Sequence, residues 1–417
     1  MDAISLSPED RAILALESDT VVGHTCKVIV LEGPALSADA LRDSLERRIG
    51  DAPALTRRLA EDATGPSWVA DENLDLAQQV VDRSAAEPMD HSSLADEVAA
   101  LFAQHLDRSR PLWQIDVLAL RGGTALVWRI HHALADGTTA MGYARALLWD
   151  AGPATAAARK VPIAGHPADD ARRRGHLAGF LRREFSRSHV SSPFDGRIGT
   201  QRRVAFASVA LDSLHDAAKQ VDRATLNDAV LAVIAGALRH WLEQHHGRLG
   251  DVRVKVPVSL HHEGEQAGNR DSFFCVALPL NEPDPVARLH AVREATALRK
   301  AEHDAQTMDR LLQELGRASP RLRGFCERIE RNPRSFALNV SNVPGPREPV
   351  SVLGAPVATM HSIAELAERH ALRVAVVSLA GQLCFGFCAD PAIVDDVQAM
   401  ADGVQAEAAG LVAAASR

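Results

Sequence analysis

The sequence has little of what several large classes of protein require. Its 417 residues include five cysteines and one tyrosine, and its formal net charge is −8. An acidic chain is a poor candidate for a general nucleic-acid binder, which needs a basic surface to contact phosphates. Scattered cysteines in odd number argue against a disulfide framework and favour a reducing compartment. We therefore expect a protein without nucleic-acid partners.

Long apolar runs are also lacking. No stretch approaches the roughly 18 apolar residues of a membrane-spanning helix, and no signal-peptide pattern opens the chain. We expect a cytoplasmic protein whose membrane contact is at most peripheral, at the inner membrane or at lipid droplets. The segment ARRRGHLAGFLRREFSRSH, at residues 171–189, has one apolar helical face and many arginines. Such a helix can lie on an anionic membrane or dock on the protein's own core.

Length and composition predict two domains. At 417 residues and 46% hydrophobic content, the chain can bury two ordinary cores. Residues 1–150 and residues 201–417 both mix amphipathic helices with short alternating strands, which is an α/β (α+β) pattern. Residues 151–200 are rich in Ala, Pro, Arg and Gly, and we interpret them as the interdomain connection.

The most informative string is HHALADG, at residues 131–137. The preceding run, residues 124–130, has the composition of a buried strand, and side chains alternate between the two faces of a strand. His132 therefore extends the apolar face that carries Trp128, whereas His131 lies on the other face. A neutral imidazole held there can take up a proton near pH 7, because its unperturbed pKa is about 6.5. His132 is the candidate general base.

Other interpretations of the same string stay open at this point. A histidine on an apolar face is often a core residue with satisfied ring nitrogens. A metal site would need a third His, Cys or acidic ligand at a recognised spacing, and none lies nearby, so we expect no metal. Asp136 is a second acid–base candidate. The helix that follows is predicted to have Thr138 or Thr139 as its N-cap.

Four further strings accompany this motif. They are PLW at 111–113, ND at 227–228, GNR at 268–270 and NVPGP at 342–346. Trp113 is predicted to begin a strand and fill core space. Asn227 and Asp228 occupy the first turn of a predicted helix in which Thr225 and Asp228 form a capping box. NVPGP is a rigid turn after a strand.

In this order the five strings resemble the bacterial wax ester synthase/diacylglycerol acyltransferase family, within the chloramphenicol-acetyltransferase-like, CoA-dependent acyltransferases. The resemblance implies two domains of related fold, each a mixed sheet flanked by helices, with a tunnel at their interface. It implies acyl-CoA as a substrate and no cofactor. It also implies that His132 is the base, that Asp136 holds the loop, and that Asn342 lines the tunnel, while His131 keeps a structural or orienting role.

The chemistry needs few residues. A thioester is already activated, so a base that deprotonates an acceptor hydroxyl can promote direct attack on the carbonyl. A serine hydrolase would need a GxSxG elbow, which this sequence lacks. Oxyanion stabilisation needs N–H or O–H donors. Candidate substrate-binding residues are Gly137, Asn269, Ser341 and Asn342, and candidate structural residues near the site are Trp113, Asn227, Asp228 and Arg270.

The resemblance therefore implies transfer of a fatty acyl group from acyl-CoA to diacylglycerol, a long-chain alcohol, or both. One alternative is a related acyltransferase that uses another alcohol or an amine. The other is a lipid-binding protein without activity.

Overall fold

The computed structural model describes residues 3–62, 65–85, 87–150, 192–247, 249, 252–259, 271–301 and 336–416. The strands are β1 Ile4–Ser5, β2 His24–Glu32, β3 Arg57–Asp62, β4 Gly65–Ala70, β5 Val80–Asp82, β6 Trp113–Leu120, β7 Gly123–His131, β8 Arg203–Ala210, β9 Arg253–Ser259, β10 Asp271–Ala277, β11 Leu338–Val343, β12 Ser351–Val352, β13 Ala355–Ile363, β14 Leu372–Leu379 and β15 Gln382–Ala389. The helices are α1 Pro8–Leu14, α2 Ala38–Arg48, α3 Leu76–Gln79, α4 Leu94–Phe102, α5 Gly137–Leu147, α6 Leu211–Gln220, α7 Leu226–His246, α8 Pro285–Ala301 and α9 Val397–Ala415. Short 3-10 turns lie at Ile49–Asp51, Pro53–Thr56 and His91–Ser93.

The first large sheet is centred on β7. Its strand order is β12-β13-β2-β7-β6-β5, and every residue of β7 is buried. Leu126, Trp128 and Ile130 pack with residues of α2 and α5, whereas Ala125 and Val127 pack with residues of α4 on the opposite face. Alternate side chains of β7 therefore pack into two different cores, because both faces of the sheet are covered.

The second large sheet has the order β10-β9-β11-β14-β15-β8. β11 runs parallel to β9 and β14, and the other neighbours are antiparallel. Helices α7 and α9 cover one face and form the largest core with it. A small sheet of β1, β4 and β3 lies apart from these two. The predicted fold class, mixed sheets flanked by helices, is confirmed.

The sheets do not follow chain order alone. β13 pairs antiparallel with β2, so that β12 and β13 belong to the first sheet although they come late in the chain. The first and second sheets also share core residues, since Val377 and Leu379 pack among residues of the first sheet.

The predicted domain bounds, 1–150, 151–200 and 201–417, stay a prediction. Residues 171–189, the basic amphipathic segment, lie outside the described residues.

The N-terminal caps of two helices can be compared with those predicted from the sequence. The capping box predicted at Thr225 and Asp228 is confirmed, because each side chain binds the other residue's backbone N–H. The N-cap predicted at Thr138 or Thr139 is wrong. Asp136 caps α5 instead, and its carboxylate accepts the N–H of Thr139. Aspartate is among the strongest N-cap residues, so the helix begins at Gly137.

Candidate active site

The HHALADG segment continues the backbone pairing of β7. The N–H of His131 donates to the carbonyl of Leu112, and the N–H of His132 donates to the carbonyl of Gly23, both at 2.9 Å. The ladder between β2 and β7 therefore extends one residue past the strand. By the alternation of side chains, His132 then shares the face of Trp128, as the sequence pattern predicts.

His131 is buried and contacts the turn that follows it. Its Nδ1 accepts the N–H of Ala133 at 3.1 Å, and its Nε2 lies 3.4 Å from Oε1 of Glu17. Burial, followed by the charge of Arg108, lowers the pKa of His131 to about 3. A neutral ring that accepts at Nδ1 carries its proton on Nε2, which then faces Glu17. A Cβ on Gly23 would lie 2.6 Å from that Nε2, so glycine leaves the ring its space.

His132 is partly exposed, unlike its neighbour. Burial lowers its pKa to about 4, and the guanidinium of Arg373 on β14 contributes in the same direction. A pKa of about 4 leaves the imidazole neutral at pH 7, which is the form that can accept a proton. Arg373 of the second sheet is near enough for its charge to affect this pKa.

Asp136 caps the helix that follows the motif, and Gly137 lies against the second sheet. Asp136 is buried, and its carboxylate caps α5 with a bond of 2.6 Å to the N–H of Thr139. A Cβ on Gly137 would lie 2.8 Å from Cγ2 of Val343, at the end of β11. Glycine is thus needed where the start of α5 meets the NVPGP turn. That turn is held in place by the N–H of Gly345, which donates to Oγ of Ser378 at 2.9 Å.

The two substrate-binding candidates of β11 lie on different faces. Val340 packs in the core under α7, and Val343 packs with the first sheet. By alternation Ser341 shares the face of Val343 and turns toward the motif, whereas Asn342 does not. The Nδ2 of Asn342 donates to Oδ1 of Asn227 at 3.5 Å. Ser341 thus shares the face of β11 from which Val343 packs with the first sheet, and Asn342 is paired with Asn227 of the ND string.

The remaining candidates have structural contacts. Trp113 is buried, and its Nε1–H donates to the carbonyl of Leu55 at 2.8 Å. Asp228 is buried and accepts from Thr225 and from the hydroxyl of Thr296, each at 2.6 Å. Both sets of contacts agree with the structural roles expected for them. Asn269 and Arg270 lie outside the described residues, so their roles stay predictions.

Sequence reasoning missed several polar residues of the second sheet that lie around a cavity. A cavity of about 270 Å³ lies beside Arg373 and is also lined by Lys255, Asn339 and His370. Burial lowers the pKa of His370 to about 4, with the charges of Arg373 and Lys255 acting in the same direction. These residues come from separate strands and loops, and the only sequence signal is a polar residue at alternate positions of apolar strands.

Two further findings concern the described residues only. They contain no group of three or more His, Cys, Asp or Glu side chains placed to hold a metal ion. Their helices are too short or too polar to cross a membrane.

Comparison with known proteins gives the family. The sequence profile of the wax ester synthase/diacylglycerol acyltransferase catalytic domain matches residues 6–183 and 151–230, and that of the WS/DGAT C-terminal domain matches residues 267–411. A relative from Mycobacterium tuberculosis (strain ATCC 25618 / H37Rv), named "Probable diacyglycerol O-acyltransferase tgs1", is 28% identical over 96% of this chain and 95% of its own length.

Solved structures agree on the fold. The wax ester synthase/diacylglycerol acyltransferase from Marinobacter aquaeolei VT8 superposes with a TM-score of 0.73 at 23% identity, over 99% of this chain and 100% of that chain. A mutant of the starter condensation domain of rhizomide synthetase, in complex with C8-CoA, gives 0.62 at 16% identity, over 98% and 95% of the two chains. The family predicted from the five strings is confirmed. Matched along both of its parts, this chain belongs to the wax ester synthase/diacylglycerol acyltransferase family and is an acyltransferase.

Proposed function

We propose that this enzyme moves a fatty acyl group from acyl-CoA to the hydroxyl of a lipophilic acceptor, diacylglycerol or a long-chain alcohol. The observation that carries the proposal is the HHALADG segment at the end of β7, where His132 continues the backbone pairing with Gly23 and Gly137 meets Val343 of the second sheet. The name of the Mycobacterium relative supports diacylglycerol as an acceptor. The CoA complex of the condensation domain supports acyl-CoA as the donor.

The reaction is written as direct transfer. His132 accepts the proton of the acceptor hydroxyl while its oxygen attacks the thioester carbonyl. The carbon–sulfur bond of the thioester breaks, and the imidazolium returns the proton to the departing thiolate. The product is an ester and free CoA, with no covalent intermediate on the enzyme.

The surroundings of His132 suit the second half of this cycle. Burial and the charge of Arg373 both disfavour the imidazolium. A proton taken up in the first step is therefore given up readily to the thiolate. In this scheme His131 fixes the turn through Ala133 and Asp136 fixes α5, so neither touches the reacting atoms.

The oxyanion formed at the carbonyl needs a donor near His132. Ser341 is our candidate, because it lies on the face of β11 that turns toward the motif. Asn342 and Asn269 remain in the proposal as residues that line the substrate path, and Gly137 keeps that path open by its lack of a side chain. Peripheral contact of the enzyme with a membrane or a lipid droplet, at a cytoplasmic location, is also part of the proposal.

The test is CoA release with palmitoyl-CoA and each acceptor, with the ester identified by mass spectrometry. His132→Ala is expected to lose about 10²- to 10⁴-fold in kcat, which is the usual contribution of a general base. His91→Ala, at an exposed histidine, is the matched control and keeps wild-type turnover. Wild-type turnover by His132→Ala contradicts the base assignment. Tight acyl-chain binding without CoA release from any acceptor supports the lipid-binding alternative instead.

A further inference from the structure

The loop between α1 and β2 places a carboxylate against the HHALADG segment. Glu17 lies in this loop, and only 9% of its side chain is exposed. One carboxylate oxygen, Oε2, accepts from the guanidinium of Arg108, and the other, Oε1, lies 3.4 Å from Nε2 of His131. The two oxygens therefore have different partners, so that Arg108 holds the carboxylate while Oε1 faces the imidazole.

Gly23 leaves room for this contact. A Cβ on Gly23 would lie 2.6 Å from Nε2 of His131 and 2.7 Å from Cγ of Glu17, in the space where the two side chains meet. The φ angle of Gly23 is +70°, which glycine adopts without strain. The carbonyl of the same glycine accepts the N–H of His132. Glu17 therefore meets His131 beside the backbone bond that holds His132.

The imidazole of His131 closes a small turn around His132. Its Nδ1 accepts the N–H of Ala133 at 3.1 Å, so a side chain binds the backbone two positions later in the chain. Aspartate and asparagine side chains form Asx turns by the same arrangement. The ring of bonded atoms includes the backbone of His132 and restricts its φ and ψ angles. The direction in which the candidate base leaves the chain therefore depends on the bond between Ala133 and His131.

This bond requires one tautomer of His131. Burial lowers the pKa of His131 to about 3, so the ring is neutral at pH 7. A neutral imidazole accepts at Nδ1 only when its proton is on Nε2. Within the described residues Nε2 makes no hydrogen bond of ordinary length, and it faces Oε1 of Glu17 at 3.4 Å. A carboxylate attracts an N–H and repels a nitrogen lone pair, so Glu17 favours the tautomer that the bond to Ala133 needs.

We propose that Glu17 is a positioning residue for acyl transfer: it holds His131 in the tautomer that closes the turn and thereby orients His132 toward the acceptor hydroxyl. The inference rests on the proposed function, because it takes His132 as the base. Glu17 touches none of the reacting atoms and acts through His131. Arg108, whose side chain is half exposed, has the lesser role of fixing the Glu17 rotamer.

The first experiment compares two substitutions of Glu17 in the full-length enzyme, with palmitoyl-CoA and saturating diacylglycerol or hexadecanol. Glu17→Met keeps the length of the side chain and removes the acceptor, and it is expected to lower kcat by about 10- to 100-fold at unchanged KM for palmitoyl-CoA, as for a misplaced base. Glu17→Gln keeps an oxygen that can accept from Nε2–H, and we expect it to retain most of the activity. Glu243→Met removes an arginine-paired carboxylate from the surface of α7 and is the matched control, with wild-type kcat.

A second experiment shows whether Glu17 acts through the imidazole. His131→Asn supplies an amide oxygen that can accept the N–H of Ala133 and has no tautomer to choose, so this variant is expected to keep much of the activity that His131→Ala loses. Adding Glu17→Met to His131→Asn should then leave kcat nearly unchanged. A general loss of folded enzyme would instead lower kcat equally in both backgrounds.

A third measurement needs no turnover. Nitrogen-15 NMR of the histidine rings reports which ring nitrogen carries the proton, and the signals of His131 are identified by their loss in His131→Asn. The wild-type ring is expected to carry its proton on Nε2. In Glu17→Met, a larger share of the proton should be found on Nδ1.

Several results overturn the proposal. It is wrong if Glu17→Met keeps wild-type kcat, or if Glu17→Gln loses as much as Glu17→Met. An equal loss from Glu17→Met in the His131→Asn background shows that Glu17 acts by another route, and loss in His131→Asn as large as in His131→Ala shows that the bond to Ala133 is not the contribution of His131. A wild-type ring with its proton on Nδ1 contradicts the assigned tautomer. Failure of the proposed function looks different, since His132→Ala would then keep wild-type turnover while the His131 ring still carried its proton on Nε2.

Discussion

The two large sheets contribute to the candidate site in different ways. In the first sheet, β7 is buried along its whole length and delivers His132 at its end, where backbone bonds to Gly23 fix the turn. In the second sheet, the strands keep one face apolar under α7 and place polar side chains such as Asn339 and Arg373 on the other. The first sheet therefore carries the candidate base, and the second sheet carries polar side chains that line the cavity.

The sheets also differ in their buried titratable groups. His24, His131 and His361 lie on β2, β7 and β13 of the first sheet, and all three are buried. The described strands of the second sheet contain no histidine, and one buried histidine, His370, lies just before β14 with its pKa lowered to about 4. Burial lowers the pKa of each of the three, to about 3 for His131 and to about 4 for His361. A drop in pH should consequently destabilise the first sheet more than the second.

The largest effect we predict is the loss of stability of the first sheet in acid. Each buried histidine is neutral in the folded state, whereas in the unfolded chain it takes up a proton below about pH 6.5. Stability is therefore complete above about pH 6.5 and falls as the pH drops toward about 4, by roughly 2 kcal/mol per fully buried histidine at about pH 5. Hydrogen exchange at neutral and mildly acidic pH, at matched intrinsic rates, should show β2, β7 and β13 losing protection first.

A substitution tests the cause of this acid sensitivity. His361→Met removes one titrating group while keeping an apolar side chain on β13. The slope of the unfolding free energy against pH, between about 5 and 6.5, should fall by about one proton. Equal loss of protection in both sheets, or an unchanged slope in this variant, would contradict the assignment to buried histidines.

The next prediction concerns the contact that joins the two sheets. Gly137→Ala places a Cβ 2.8 Å from Cγ2 of Val343, and overpacking of this kind costs about 1–3 kcal/mol. Gly142→Ala is the matched control on the same helix, because nothing lies within 4 Å of its added Cβ. There alanine should stabilise the protein by up to about 1 kcal/mol. Thermal denaturation of the two variants measures the difference.

A second substitution shows whether the clash is the cause. Val343→Ala in the Gly137→Ala background should recover much of the lost stability. If the double variant is no better than Gly137→Ala, the start of α5 and the NVPGP turn do not meet as described.

Parts of both large sheets and the choice of His132 as the candidate base can be predicted from sequence, for a physical reason. β7 and β14 are continuous apolar runs, and the alternation along β7 selects His132 from residue types alone. β13 cannot be predicted in this way because Pro356 and a bulge between Val357 and Thr359 interrupt the alternation of its side chains. The N-cap of α5 is misplaced because Thr138 and Thr139 are also favoured cap residues, and residue type does not fix which side chain accepts the N–H.

The polar residues that line the cavity of the second sheet cannot be predicted in the same way. Lys255, Asn339 and Arg373 are far apart in the chain and meet only through strand register. Each stands between two apolar residues of its strand, which is the pattern of an ordinary solvent-facing position. Their convergence depends on β11 lying parallel between β9 and β14, and a single sequence carries no signal for that pairing.

The smallest predicted effect separates two roles of Asp136. As the N-cap of α5, its carboxylate accepts the N–H of Thr139 at 2.6 Å. Asparagine caps helices about as well as aspartate, so Asp136→Asn should change the unfolding free energy by only a few tenths of a kcal/mol, whereas Asp136→Ala should cost about 0.5–2 kcal/mol. Urea denaturation of both variants at neutral pH measures the two costs. If Asp136→Asn proves as costly as Asp136→Ala, the negative charge itself holds the loop through an ion pair, and the cap is the lesser of its two contributions. In that case the motif's aspartate would anchor the first sheet by charge, whereas its glycine, through Val343, anchors it to the second sheet by close packing.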